Sequence, residues 1–561
     1  MKKMILMIFS FAMGLQFVFA GGIVTNTNQS AAWVRSMVRD ASVDVDAVFF
    51  NPAGLTHLED GFYVQVNSQT VWQGRTVTSS YPTLNDGTYE GSTFVPFLPT
   101  GFLAYKKGKL AISAGFTVIG GGGSAVFDKG LPSFEQSVSA LPTALAGLVQ
   151  VGEAAGVDLS VSGYSADINF SGSSAYYAIQ AGVSYKINDV ISVGLGGRYI
   201  MANNSYTGHI KDISVMTAAG NMRADDFINN MALPTVNGVK SNLEGNVQQL
   251  TPVSEGLSTL IGAGLGGLTI DQLIASGLLT PEQIAGINLT LLALGLESTI
   301  TLDDANGILS ATMTELNTNI LTLGGTAVAL EGQTALLKDN YVDVTQKGNG
   351  FAPIISVDLS FMEGDLGLAL KYEHKTSMKV TTTVIKDDTG TYTDGEEVTS
   401  DMPGMLSCGV RYKPISSLRV QAGFHYYLDM DASYGKKDDS GNFVKNGEEA
   451  IIAGQTTTYL AGNSYEAAFG LEFDVHKMIT LSAGYLMTAS NPNEVYQSGL
   501  SYSLDTGTFG VGARINLMKN FAIDLGYSST SYTLAERDYG TFKETYDKTA
   551  SVFAAGLTYN F

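Results

Sequence analysis

The eleven residues Ser-Val-Phe-Ala-Ala-Gly-Leu-Thr-Tyr-Asn-Phe (551–561) alternate between two kinds of side chain. Successive side chains of a strand point to opposite sides, so Phe553, Ala555, Leu557, Tyr559 and Phe561 share one face, and Val552, Ala554, Gly556, Thr558 and Asn560 the other. One face is apolar or aromatic and the other small or polar, as in a strand with lipid outside and a hydrated lumen inside. A half-buried strand of a soluble sandwich alternates in the same way, so a single instance decides nothing.

The pattern recurs. ISVGLGGRYI (191–200) sets Ile191, Val193, Leu195 and Tyr199 against Ser192, Gly194, Gly196 and Arg198. LGLALKYE (366–373) sets Leu366, Leu368, Leu370 and Tyr372 against Gly367, Ala369, Lys371 and Glu373. LRVQAGFHY (418–426) and FAIDLGY (521–527) repeat it, with Arg419, Gln421, His425 and Asp524 on the small or polar face. Tyr repeatedly closes the apolar face, as in an interfacial aromatic girdle. Short turns join 98–106 to 109–119, 174–187 to 190–204, 353–362 to 366–378, 405–413 to 417–430, 464–474 to 478–490 and 501–515 to 519–532. With first and last strands at 62–74 and 550–561, the reading is an all-β, 14-stranded antiparallel transmembrane barrel over 61–561. Long connections at 75–97, 120–173, 205–352, 379–404, 433–463, 491–500 and 533–549 alternate with the tight turns, as extracellular loops alternate with periplasmic ones.

Composition supports this class. The chain has 64 Gly, 27 Tyr and 26 Phe but one Cys, Cys408, so no intramolecular disulfide braces it. Residues 1–20 read as a signal peptide, with Lys2 and Lys3 before an apolar core and a small-residue site at Val18-Phe19-Ala20. Beyond it no segment reaches the roughly 18 unbroken apolar residues of a spanning helix. The net charge of −21 excludes nucleic acid as a partner, since phosphate binding needs clustered Lys and Arg. It suits either an acidic soluble surface or acidic loops facing cation-bridged lipopolysaccharide.

The connection 205–352 is too long for a plain loop, and its content is helical. Thr269-Ile-Asp-Gln272 and Thr280-Pro-Glu-Gln283 are tandem capping boxes, with Gly277 closing the first helix and Gly286 placed to break the second. Leu273, Ile274, Leu278 and Leu279 are the candidate capture surface, either packed on one another as a lid or lining a cleft for a hydrophobic ligand.

No constellation carries catalysis. Gly262–Gly267 matches a dinucleotide fingerprint by letter but lacks a preceding strand, and His57, His209, His374, His425 and His476 are scattered. No nucleophile elbow, metal cluster or cofactor motif is present, so neither enzyme activity nor a cofactor is expected.

The order of parts resembles the outer-membrane long-chain fatty acid transporter family, the FadL/TodX type. The resemblance rests on Asp46-Ala-Val-Phe-Phe-Asn51-Pro52-Ala53-Gly54-Leu55, on the strand count and on the terminal Phe561, which is also similar to the assembly signal of outer-membrane barrels. It implies that residues 21–60 form a hatch inside the lumen, with Phe49, Phe50, Asn51, Pro52, Ala53 and Gly54 as its gate. It implies capture of a hydrophobic substrate between extracellular loops and sideways release through a kink in the third strand, here 109–119 followed by Gly120, Gly121, Gly122 and Gly123. The family pairs its third and fourth long loops; here the fourth is short and polar, so a groove must use the second and third. Parity offers Arg198, Lys371, Arg411 and Arg419 as lumen cations, either meeting a ligand carboxylate or forming ladders with groups such as Glu373 and Asp524. The expected function is passive uptake of hydrophobic molecules, long-chain fatty acids foremost, across the bacterial outer membrane. The alternative is a structural or adhesive barrel that binds host or matrix through its loops. Expected partners are the hydrophobic solute, lipopolysaccharide and membrane lipids, and the barrel assembly machinery, with the protein itself a monomer.

Overall fold

The computed structural model describes residues 23–334 and 336–561, so the signal-peptide reading lies outside the described residues. Fourteen antiparallel strands close into a barrel. They are β1 Gly61–Ser79, β2 Thr88–Lys107, β3 Leu110–Phe127, β4 Gly163–Lys186, β5 Ile191–Thr217, β6 Asn340–Phe361, β7 Leu366–Glu373, β8 Met405–Ile415, β9 Leu418–Tyr427, β10 Tyr465–His476, β11 Ile479–Ala489, β12 Thr506–Met518, β13 Phe521–Tyr532 and β14 Lys543–Asn560. Closure is by β14 on β1, in register from Tyr63↔Asn560 to Ser79↔Glu544. The expected tight turns hold; Lys107 faces Leu110 across one, and Ile187 N–H meets the Ile191 carbonyl at 2.9 Å in another.

The two faces sort as the alternation demands. Outward Leu195, Leu370, Tyr527 and Leu557 are exposed, whereas inward Arg198, Lys371, His425 and Asp524 are buried. An apolar outer belt and a polar interior are what hydrocarbon outside and fixed hydrogen bonding inside require. Among the described residues no single helix is long and apolar enough to cross a membrane.

Several strands outrun their sequence boundaries on the loop side. Lys379–Asp387 pairs with β6 and with Glu397–Thr399, so nearly half of the expected loop 379–404 is sheet. Gly120–Gly123 do not begin a loop either: β3 continues through them to Phe127. The extra length arises because polar, β-branched segments continue a ladder once their neighbours supply hydrogen-bond partners, a tertiary effect that propensity does not carry.

The segment 23–60 packs against inward-facing side chains of the barrel. Its elements are α1 Ala31–Ser36, capped by Ser30 Oγ on Trp33 N–H at 3.0 Å, α2 Ala47–Phe50, and a 3₁₀ turn Pro52–His57. Val34, Met37, Val48, Phe49 and Leu55 join wall residues such as Phe102, Ala178 and Ala554 in one apolar cluster.

Val138–Ala166 and Lys211–Asp339 form a second compact unit. It contains α3 Leu148–Ala155 from the second loop, packed on α4 Leu233–Leu260 from the third. The third loop continues through α5 Ile270–Ala275, α6 Pro281–Leu294 and α7 Leu302–Thr334. Leu309, Met313, Leu316, Ile320, Leu323, Ala327 and Leu330 recur at alternating spacings of four and three, the seam of a coiled coil. α7 packs along α4, where Val236, Leu243, Val247, Leu250 and Leu257 fall on the same seven-residue repeat. Both capping boxes form, with Thr269 and Thr280 each accepting from the backbone three residues on. Gly277 takes φ +72° after α5, as expected. Gly286 does not break α6, which runs on to a left-handed Gly295; a lone helical glycine costs only about 1 kcal/mol relative to alanine, too little to end a capped helix.

Candidate functional site

The stretch Asn51-Pro52-Ala53-Gly54 is held residue by residue. Pro52 opens the turn, as a fixed φ at a first helical position favours. Asn51 does not cap it: its side-chain amide donates to the Ser42 carbonyl at 3.2 Å and to Asp358 Oδ2 on β6 at 2.8 Å. The Pro52 carbonyl accepts from Ser184 Oγ at 2.6 Å, and the Ala53 N–H donates to Ser356 Oγ at 2.9 Å. Gly54 has no room for a side chain, because a Cβ would overlap the Ser42 carbonyl. Asp358 is fully buried and also takes His57 at 2.8 Å and both Arg411 nitrogens at 2.7 and 3.1 Å. A buried carboxylate needs such partners, and here the turn supplies two of them.

Phe49 and Phe50 stand edge-on at 5.0 Å, both buried. The Arg198 guanidinium lies 4.6 Å from the Phe49 ring centroid and the Lys371 ammonium 5.0 Å from it. Lys371 also donates to the Phe49 carbonyl at 3.0 Å. Both cations share Glu373, Arg198 at 2.6 Å and Lys371 at 2.7 Å. Arg419 bonds Glu472 and Asp474, each at 2.9 Å. All four predicted lumen cations thus face inward and carry wall carboxylates; three of them also touch segment 23–60, Arg411 through the Ala41 carbonyl at 3.2 Å.

Sequence reasoning missed the groups on the other side of this interface. Arg35 on α1 reaches Glu472 at 2.5 Å, Asp524 at 2.9 Å and Ser482 Oγ at 2.9 Å, tying three strands. Asp40 bonds His425, whose other nitrogen meets Glu466 at 2.8 Å. Arg39 fixes the segment internally on Asp46 and Asp44; burial opposes the Asp44 charge, but Arg39 and then Arg514 outweigh it and hold that carboxyl well below its usual range. A second missed feature is legible in hindsight. Gly470, Gly484 and Gly510 lie side by side across β10, β11 and β12, and a Cβ on any of them would collide with the backbone of Ser36 or Val34. Glycines at inward positions of adjacent strands form the seat of α1, and their parity is present in the chain.

The wall is discontinuous between β2 and β3. β2 and β3 pair from Lys107↔Leu110 up to Gly101↔Phe116 and again at Ser92↔Val126, but not between. Over the same stretch β3 slips register against β4 at Val118/Gly120 and Gly121/Gly123. Gly121 takes φ +79°, a conformation that other residues rarely adopt. Segment 23–60 covers the freed edge. Asn26 N–H donates to the Ile119 carbonyl at 2.7 Å and Asn26 Nδ2 to the Val118 carbonyl at 3.1 Å. Gln29 brackets Val118, donating to its carbonyl at 2.7 Å and accepting from its N–H at 3.1 Å. From β2, Thr100 Oγ donates to the Gln29 carbonyl at 2.7 Å.

Of the proposed capture residues, Leu273 is buried in the second unit's apolar cluster with Ile270, Leu291 and Leu309, Ile274 and Leu279 pack on that cluster, and Leu278 is exposed. Gly262–Gly267 falls on a bent helical turn, without a phosphate-binding strand–loop–helix.

A crystal structure of a Pseudomonas aeruginosa FadL homologue superposes over 96% of this chain and all of that one, with 12% sequence identity and a TM-score of 0.54. The fold is the FadL fold. A closed barrel of this kind with an apolar outer belt is an outer-membrane architecture. The Pseudomonas putida toluene transporter TodX is matched over 92% of this chain and 94% of its own, at 13% identity and a TM-score of 0.46. No family model matches the sequence, and no curated protein matches it.

Proposed function

We propose that this FadL-fold barrel is a passive outer-membrane channel for hydrophobic molecules, with long-chain fatty acids as the favoured substrate class and lateral release through the β2–β3 discontinuity. The observation that carries the reading is the coincidence of two features: β3 leaves β2 between Gly101 and Ser92, and Asn26 and Gln29 of the hatch occupy the backbone groups so freed. Backbone groups at membrane depth need partners, so a stretch of wall that exchanges sheet bonds for bonds to a separate segment is a gate. An apolar solute gains roughly 25 cal/mol for each Å² of apolar surface removed from water, and sideways exit spares it an aqueous crossing of the periplasm. Structures with this fold include toluene and monoaromatic hydrocarbon channels, which makes small aromatics the competing substrate class.

The test is a lock. With Cys408 replaced by Ser, cysteines at Asn26 and Ile119 form a disulfide across the hatch and β3. Uptake of a fluorescent long-chain fatty acid and of toluene into whole cells is measured before and after reduction. Fatty-acid uptake that is lost when oxidised and restored by reductant supports the reading. Undiminished uptake in the locked barrel rejects lateral release, and absence of uptake in the unmodified protein favours the adhesive or structural alternative.

A further inference from the structure

On the membrane face of β6 to β9, far in register from the hatch gate, the barrel wall is concave. The groove has a volume of about 510 Å³ and is almost wholly apolar. Two rows of outward residues build it. In the deeper row Cys408 pairs with Leu370 on one side and Phe424 on the other, so a small side chain lies between two large ones. In the next row toward the loops, Leu406 lies between Tyr372 and Tyr426. The loop end is polar: the Tyr372 hydroxyl meets His374 Nδ1 at 3.0 Å, and the Tyr426 hydroxyl accepts from Asn463 at 3.1 Å. The phenols lie where an aromatic girdle meets the outer interface.

We propose that this groove binds one acyl chain of an outer-leaflet lipid, seated on Cys408 between Leu370 and Phe424, with the lipid's polar end at Tyr372, His374 and Tyr426. The occupant follows from the setting. The face is immersed in hydrocarbon, so water does not fill the groove, and a volume within the usual 300–1,000 Å³ of small-molecule sites gives a chain walls on three sides. A chain so enclosed exchanges more slowly than one on the convex wall. The site is independent of the transport reading.

The full-length protein is extracted from outer membranes in a mild non-ionic detergent and examined by native mass spectrometry. Three variants accompany it: Cys408→Trp, which fills the floor; Cys408→Ala, which leaves it open; and Val511→Trp, which places the same bulk on the outward face of β12. Folding of each is checked by heat-modifiable gel mobility. One retained lipid is expected in the unmodified protein, Cys408→Ala and Val511→Trp, with occupancy at least fivefold lower in Cys408→Trp and fatty-acid uptake unchanged. No retained lipid in the unmodified protein, equal occupancy in Cys408→Trp, or equal loss in both Trp variants overturns the proposal.

Discussion

Asn51 and Asp358 are 307 positions apart in sequence and 2.8 Å apart in space, and the bond between them joins the Asn51–Gly54 turn of segment 23–60 to β6. The same carboxylate holds His57 and Arg411, so one inward residue of one strand fixes both ends of the turn and the wall behind it.

Asp358→Asn leaves the part-buried Arg411 beside a neutral partner. Breaking a buried pair on one side costs roughly 3–5 kcal/mol, and here the cost falls on packing of the 42–57 segment rather than on the barrel, whose strands keep their ladders. Hydrogen exchange of residues 42–57 is expected to accelerate at least a hundredfold, with the β8–β12 amides unchanged. Unchanged protection at 42–57 would show that the turn is held without this carboxylate.

Gly484→Val places a branched side chain where the Ser36 carbonyl lies. The barrel has no other need for glycine there, so it is expected to fold and show normal heat-modifiable mobility, while α1 is displaced. Protease cleavage within 30–46, absent from the unmodified protein, is the readout.

Lys436, in the loop after β9, is buried over Tyr496 at 4.4 Å and donates to the Tyr496 carbonyl at 3.3 Å. Burial, and then the neighbouring Arg537, push its pKa down from 10.5 to about 7. Between pH 7 and 10.5 the unfolded chain holds a proton that the folded chain has released, so this group makes stability rise with pH across that window. Below pH 7 the cost of the buried charge is fully present. Lys436→Met is therefore expected to raise the denaturant midpoint at pH 6 and to give a smaller gain at pH 9. A gain that is the same at both values would contradict the assignment.

Leu309→Ala opens a cavity where α7 meets Leu257, Ile270 and Leu291. A buried Leu→Ala change costs about 2–5 kcal/mol, a large share of what a unit of this size can spare. Limited proteolysis within 211–339 is expected to speed up several-fold with the barrel's gel mobility intact. Equal cleavage rates would mean that the seam does not stabilise the unit.

The number of strands, their faces and the alternation of tight turns with long loops were legible in the chain, because a period of two is a local property of extended backbone and needs no partner to be read. The capping boxes at Thr269 and Thr280 were legible for the same reason: donor and acceptor lie three residues apart. Parity also placed Arg198, Lys371, Arg411 and Arg419 inside. It offered Glu373, two residues from Lys371, as a partner, but Asp358 and Glu472 reach Arg411 and Arg419 only across strands. Arg35 meeting Asp524, 489 positions away, has no local signature at all. The glycine row under α1 and the departure of β3 from β2 belong to the same class. Each depends on which inward residues become neighbours across strands, and register between distant segments, rather than composition within one, decides that.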